Sequence, residues 1–224
     1  MPGETQALKT ASMNTNNPYH RGAGLYHLNL ALPFISTIRR QEVRAVAGLV
    51  ARYAHAGHRA LEVGPGTGCY TLALAQAFRE VVAIEASPGM ARILGGKLAA
   101  AGVGNVTVVN CDFMTLPLDG GFDVAVAIGV LDYVAEPAAF VGKMCALARR
   151  AVILTVPQRG LWGGCFAAGG RLRKIRVYRH EPCAVGAWAP GWRCHVLEVG
   201  LKTRLTRGLT LVAALERPGR ARGV

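Results

Sequence analysis

Glu62-Val63-Gly64-Pro65-Gly66-Thr67-Gly68 is the stretch on which the reading of this 224-residue chain turns. It joins a short apolar run, Ala60–Val63, to a helical stretch, Cys69–Phe78. Glycines at such a junction permit positive φ and let backbone approach a ligand closely. The helix start that follows offers free N–H groups. A glycine triplet by itself is also compatible with a tight strand–helix turn, so spacing has to decide. A phosphate P-loop needs a Lys after its last glycine, and none is present. A dinucleotide site with G-x-G-x-x-G spacing would need its third glycine where Cys69 stands. The spacing here is G-x-G-x-G, with an acidic residue two positions ahead of the first glycine.

Outward from this loop, β-branched runs alternate with helical stretches. Val81–Ile84 reads as a strand and Pro88–Ala101 as a helix with Pro in its first turn. Val106–Val109 is a strand, and Phe122–Ile128 is another, entered through the turn Asp119-Gly120-Gly121. Glu136–Ala148 is a helix, and Ala151–Val156 a strand stopped by Pro157. Such alternation predicts βαβ units and a parallel sheet covered on both faces. Two further runs, Cys194–Leu201 and Leu209–Leu215, predict a terminal antiparallel hairpin. Ahead of the loop, residues 25–55 read as helical, broken at Pro33 and ended by Gly57, with Val43, Val46, Ala47, Val50 and Ala54 on one face. A helix near 165–176 is also expected.

In order and spacing these motifs resemble the class I S-adenosylmethionine (SAM)-dependent methyltransferases over about residues 58–157. The resemblance implies a Rossmann-like α/β fold: a seven-stranded, mostly parallel sheet, an antiparallel C-terminal hairpin and an N-terminal helical lid. It implies SAM as cofactor, with Glu62, Gly64, Gly66 and Gly68 forming the binding loop. Glu85, closing Val81–Ile84, takes the place of the family's ribose-binding acid, with Ala86 beside it. A carboxylate suits that role because it accepts several hydrogen bonds at once. Asp112 takes the place of the residue that binds the adenine amino group, with Phe113 able to pack on the purine; Asp112 also reads as a turn former. Phe122-Asp123-Val124-Ala125 matches the fourth-strand entrance, where Asp123 is expected to be structural.

The acceptor is expected beyond the fourth strand, at Gly129-Val130-Leu131-Asp132-Tyr133. Gly129 would let the sulfonium end of the cofactor come close. Asp132 and Tyr133 are catalytic candidates, Asp132 as a base or cation partner, or as a cap for the next helix. His27 is a third candidate, because imidazole titrates near neutrality. Tyr26, Trp162 and Arg159 are candidate substrate contacts. Single histidines and tryptophans also serve as ordinary packing. The Asn/Asp-Pro-Pro-Tyr/Phe motif of base-directed enzymes is absent. Residues 122–180 resemble, more loosely, magnesium-protoporphyrin and ubiquinone-type small-molecule methyltransferases.

Composition narrows the partners. The chain is 51% hydrophobic and 17% charged, too apolar for extended disorder. No run of apolar residues is long enough to span a membrane. Six scattered cysteines have no C-x-x-C spacing, so they predict a reduced, cytoplasmic protein and no metal site. The net charge of +13 is uneven: residues 1–170 carry 14 basic against 10 acidic groups, and residues 171–224 carry 12 against 3. Arg171–Arg179 is the densest basic run; it reads as a solvated helix face, or as a surface fitting an anionic acceptor, an acidic carrier protein or RNA. Of the 26 basic residues 21 are Arg, a bias that composition alone can produce.

The expected organisation is a disordered tail (1–18), a helical lid (19–57), a SAM-binding domain (58–217) with a basic substrate-region insertion near 158–193, and a flexible tail (218–224). The expected function is methyl transfer to oxygen or nitrogen of a small molecule in a biosynthetic pathway, by a monomer or homodimer. An RNA methyltransferase and a SAM-binding protein without transferase activity are the alternatives.

Overall fold

The computed structural model describes residues 33–157, 178, 180–199 and 210–218. The elements are α1 (Pro33–Tyr53), β1 (His55–Val63), α2 (Thr71–Ala77), β2 (Phe78–Ile84), α3 (Pro88–Ala100), β3 (Val106–Val109) and β4 (Phe122–Ala127). They continue with α4 (Pro137–Leu147), β5 (Ala148–Pro157), β6 (Arg193–Val199) and β7 (Thr210–Glu216). Short 3-10 turns occupy Leu131–Tyr133 and Pro182–Trp188. The seven strands form one sheet in the order β3-β2-β1-β4-β5-β7-β6. β1 to β5 pair in parallel, and β7 runs antiparallel to both β5 and β6.

Alternation along the strands sends successive side chains to opposite faces. Leu61, Val63, Val82, Ile84, Ala125, Val152 and Leu154 pack on one side against Phe140, Val141 and Met144 of α4. Ala60, Val81, Val124, Val126, Ile153 and Val212 pack on the other against Val46 and Val50 of α1 and Leu74 of α2. Leu94 and Leu98 of α3 meet Ala83 on this second side. Both faces are therefore covered, which is why the central strands are nearly all apolar.

Several boundaries differ from expectation. Pro33 is the first residue of α1, as suits a residue without an N–H to donate, and the helix expected ahead of it lies outside the described residues. Gly57 lies inside β1. β1, β2 and β5 each begin three to five residues earlier than their apolar runs, at His55, Phe78 and Ala148. Charged residues interrupt these starts, Arg79 and Glu80 on β2 and Arg149 and Arg150 on β5, and Arg59 of β1 pairs with Glu80 at 2.9 Å. On α1 the buried stripe is Glu42, Val46 and Val50, and Ala47 faces solvent. The described part of the expected lid thus lies flat against the sheet. The helix expected near 165–176 and the basic run up to Lys174, Arg176 and Arg179 lie outside the described residues, as do both tails apart from Pro218.

Candidate functional site

In this strand order the connections leave β1 in opposite directions, toward β2 on one side and β4 on the other. A crevice forms outside the carboxyl ends of strands at such a switch point, and ligands bind there. The register brings Val63 level with Ile84, and Ile84 level with Val109. The loops that follow β1, β2, β3 and β4 therefore open onto one edge. They carry Gly64–Gly68, Glu85–Ser87, Asp112–Leu116 and Gly129–Tyr133.

The glycine loop is tightly built. Gly64 adopts φ +66°, and a Cβ there would meet Val130 Cγ2 at 2.5 Å. Only glycine lets the ends of β1 and β4 come this close. Gly129 also has positive φ, at +71°, but nothing lies within 4 Å of where its Cβ would be. Its lack of a side chain leaves open space at the crevice. Its N–H donates to Thr155 Oγ1 at 2.7 Å, which fixes the end of β4 to β5.

Glu85 ties the first two loops together. Gly66 N–H donates to its Oε2 at 2.9 Å and Ser87 N–H to its Oε1 at 2.8 Å. Each oxygen keeps a further acceptor site, so the pair can receive two more donors side by side. Burial raises the Glu85 carboxyl above its ordinary range, and the Ser87 and Gly66 N–H bonds oppose that rise. Ala86 beside it is exposed. Ser87 also caps α3, accepting the Met90 N–H at 3.4 Å.

Glu62 is buried one strand away. Its Oε2 has no hydrogen-bond partner, and neither has Thr71 Oγ1 on α2. Burial pushes the Glu62 carboxyl up to about 7, and the Glu85 charge adds to the rise. A buried carboxyl oxygen without a partner is costly, and its presence here fits a ligand with a donor to offer.

After β3, Asp112 Oδ1 accepts the Met114 N–H at 2.8 Å. No bond from a neighbouring loop among the described residues engages its Oδ2. Phe113 is 4% exposed, with Phe140 edge-on at 5.1 Å, so its ring anchors the loop in the core.

Beyond β4, Asp132 is half-buried and Tyr133 is 39% exposed. Burial pushes the Asp132 carboxyl up to about 6, with Glu42 of α1 adding to the rise. Glu42 is itself buried and accepts the Tyr70 hydroxyl at 2.8 Å. The chain returns across this turn: Tyr178 N–H donates to Asp132 O at 2.7 Å, and His180 Nε2 lies 3.0 Å from Leu131 O.

The structure thus gathers Glu62, Gly64, Gly66, Gly68, Glu85, Ala86, Asp112, Gly129, Asp132 and Tyr133 at one edge. Tyr26, His27, Arg159 and Trp162 lie outside the described residues. Glu42 and Tyr70 were not expected from the sequence. The signal for Glu42 was there, because it is the only acid of α1 and stands four residues before Val46 in the buried stripe. Trp188 is buried in the core, and Trp192 packs against it with the Arg217 guanidinium over its ring at 5.0 Å. Among the described residues no group of three His, Cys, Asp or Glu could hold a metal ion.

Residues 60–151 match the family model described as a methyltransferase domain. This stretch is a methyltransferase domain. The magnesium protoporphyrin IX methyltransferase of Synechocystis PCC 6803, solved with bound SAH (S-adenosylhomocysteine), superimposes with a TM-score of 0.71 at 22% identity. That match covers 89% of this chain and 96% of the other. The DhpI–SAH complex gives a TM-score of 0.63 at 20% identity, covering 90% and 94%. An uncharacterized methyltransferase, YrrT of Bacillus subtilis, is 41% identical over 61 residues, 27% of each chain. No helix among the described residues is long and apolar enough to cross a membrane.

Proposed function

We propose that this chain is a SAM-dependent methyltransferase acting on oxygen or nitrogen of a small-molecule acceptor in a biosynthetic pathway. The observation that carries the reading is the convergence of Glu62, Glu85, Asp112 and Gly129 on one sheet edge. Their chemistry fits the cofactor: remaining acceptor capacity on the two Glu85 oxygens for a ribose diol, an accepting carboxylate on Asp112 for the adenine amino group, and open space at Gly129. When bound, SAM supplies a methyl group already activated on a sulfonium. The chain's own task is then chiefly alignment of the acceptor.

Asp132 is the base for an acceptor that must lose its proton. With its carboxyl near 6, it is mostly ionised at neutral pH yet still basic enough to take a proton. Tyr133 forms the exposed wall next to it. By side-chain chemistry alone we assign Tyr26, Trp162 and Arg159 to the acceptor and His27 to catalysis, and the basic composition of Arg159 and the run after it suits an anionic or carrier-bound acceptor. The likeness to a porphyrin methyltransferase supports a small molecule over RNA, as does the missing base-directed motif.

Turnover of methyl-labelled SAM to SAH tests this directly. The acceptor panel comprises hydroxylated and carboxylated aromatics, amines, and total RNA at low and high salt. Methylation of a small molecule is expected. SAH formation with RNA alone, steeply suppressed by salt, would replace this reading with the RNA one. SAH binding without turnover on any acceptor would leave a binding protein. With the acceptor in hand, Asp132→Asn is expected to lower kcat by about 100-fold or more while SAH affinity holds. The wild-type rate should fall as pH drops through about 6, because the base becomes protonated. The variant should lose that limb.

A further inference from the structure

Lys143 of α4 belongs to none of the motifs, yet it makes the densest set of side-chain bonds near the crevice. Its Nζ donates to Phe113 O at 2.6 Å, Leu116 O at 2.8 Å and Met114 O at 3.1 Å. An ammonium has three N–H donors. All three converge on the loop after β3. The same ammonium lies 4.9 Å from the Phe113 ring centroid. Phe140, three residues earlier on the same helix face, holds that ring edge-on.

The loop's own N–H groups are met by Asp112. Asp112 Oδ1 accepts from Met114, and Asp112 O accepts from Leu116 at 3.1 Å and from the Thr115 hydroxyl at 3.1 Å. One residue gathers the amides and Lys143 gathers the carbonyls. The Asp112 carboxylate is tied to this loop through Oδ1. A lysine at a merely solvated position would keep its ammonium in water, whereas here it is half-buried and its charge is met by carbonyl dipoles.

We propose that Lys143 is a positioning residue that fixes the Asp112–Leu116 loop and so sets the site's preference for a 6-aminopurine. This rests on the reading in which Asp112 receives the adenine amino group. Loosening the loop would let the carboxylate swing away from the donor it selects. That hydrogen bond is what distinguishes an amino purine from its 6-oxo counterpart.

The test is calorimetry with two probes, SAH and S-inosylhomocysteine, which carries a 6-oxo group in place of the amino group. The proteins are wild type, Lys143→Met and Lys143→Arg. Wild type is expected to favour SAH by about tenfold or more. Lys143→Met should weaken SAH by about tenfold and the inosyl probe little, so that the preference collapses. Lys143→Arg, which keeps the charge but spreads its donors over a fork, should lose part of it. A role in stability alone would lower the melting temperature and leave the ratio of affinities unchanged, and that result overturns the proposal. So does unaltered SAH affinity in Lys143→Met. Should Lys143→Met not fold, an unchanged ratio in Lys143→Arg overturns it equally. Failure of the underlying reading looks different: wild type itself would then fail to bind SAH, or would bind both probes alike.

Discussion

Glu62 and Glu85 stand one strand apart and meet burial differently. Glu85 has two backbone N–H partners, while Glu62 Oε2 has none. The consequence for stability has a definite sign. The folded state holds a proton on Glu62 up to about 7, whereas an unfolded glutamate releases it near 4.5. Folded protein binds more protons across that interval, so Glu62 costs stability as pH rises through it, up to about 3 kcal/mol above the upper limit. Urea denaturation of the unliganded protein at pH 5 and pH 8 checks this. The stability of Glu62→Gln relative to wild type should improve by on the order of 2–3 kcal/mol between the two values; a constant difference would contradict it. The glycines make a second contrast. Gly64→Ala places a Cβ against Val130 at +66°, so both folding and SAH binding should suffer. Gly129→Ala meets open space, so the main loss should appear in SAH affinity, with stability down by only about 1–2 kcal/mol from positive φ. Equal effects of the two on melting temperature would argue against the crevice at Gly129.

Among the elements, α1 is the one whose placement depends most on distant residues. Its last turn is fastened to the sheet through Glu216 at the end of β7. Glu216 accepts the Tyr53 hydroxyl, pairs with Arg52 at 3.0 Å and lies 3.3 Å from His195 of β6. The Tyr53 bond, followed by Arg52 and His195, holds the Glu216 carboxyl below its ordinary range against a burial effect that raises it. Burial and then Glu216 push the Tyr53 hydroxyl up to about 12. Arg52 is largely exposed and contributes little. Glu216→Ala should therefore cost about 1–2 kcal/mol, chiefly through Tyr53. That contribution is present at neutral pH and fades as acid protonates Glu216, so wild type and variant should converge in denaturation experiments at low pH. A gap that persists there would show packing rather than the carboxylate at work. None of this was legible beforehand, because Tyr53 and Glu216 are 163 positions apart. What the sequence made plain was local: α3 after Ser87-Pro88, β3 residue for residue, and the apolar interiors of β4 and β5. The starts of β2 and β5 were hidden because charged pairs, Arg79-Glu80 and Arg149-Arg150, separate Phe78 and Ala148 from the apolar runs.

For the whole molecule, the order of loops along one sheet edge is what turned separate weak motifs into a site. The cofactor residues lie at the carboxyl ends of strands or in the loops that follow them, so topology brings them together. The acceptor side was less legible, since Asp132 meets Glu42 only through tertiary packing of α1. The charge that opened the question of RNA is also better placed. Within the described residues, Arg59, Arg150 and Arg52 pair with Glu80, Asp123 and Glu216 near the starts of β1 and β5 and the end of β7, opposite the crevice. Much of the local charge there is internal to the fold. The account's central claim is that this edge binds SAM through Glu85. Calorimetric titration with SAH tests it most directly. Wild type should bind, and Glu85→Ala should show no measurable binding while retaining its folded circular dichroism spectrum. Normal SAH affinity in folded Glu85→Ala would contradict the claim.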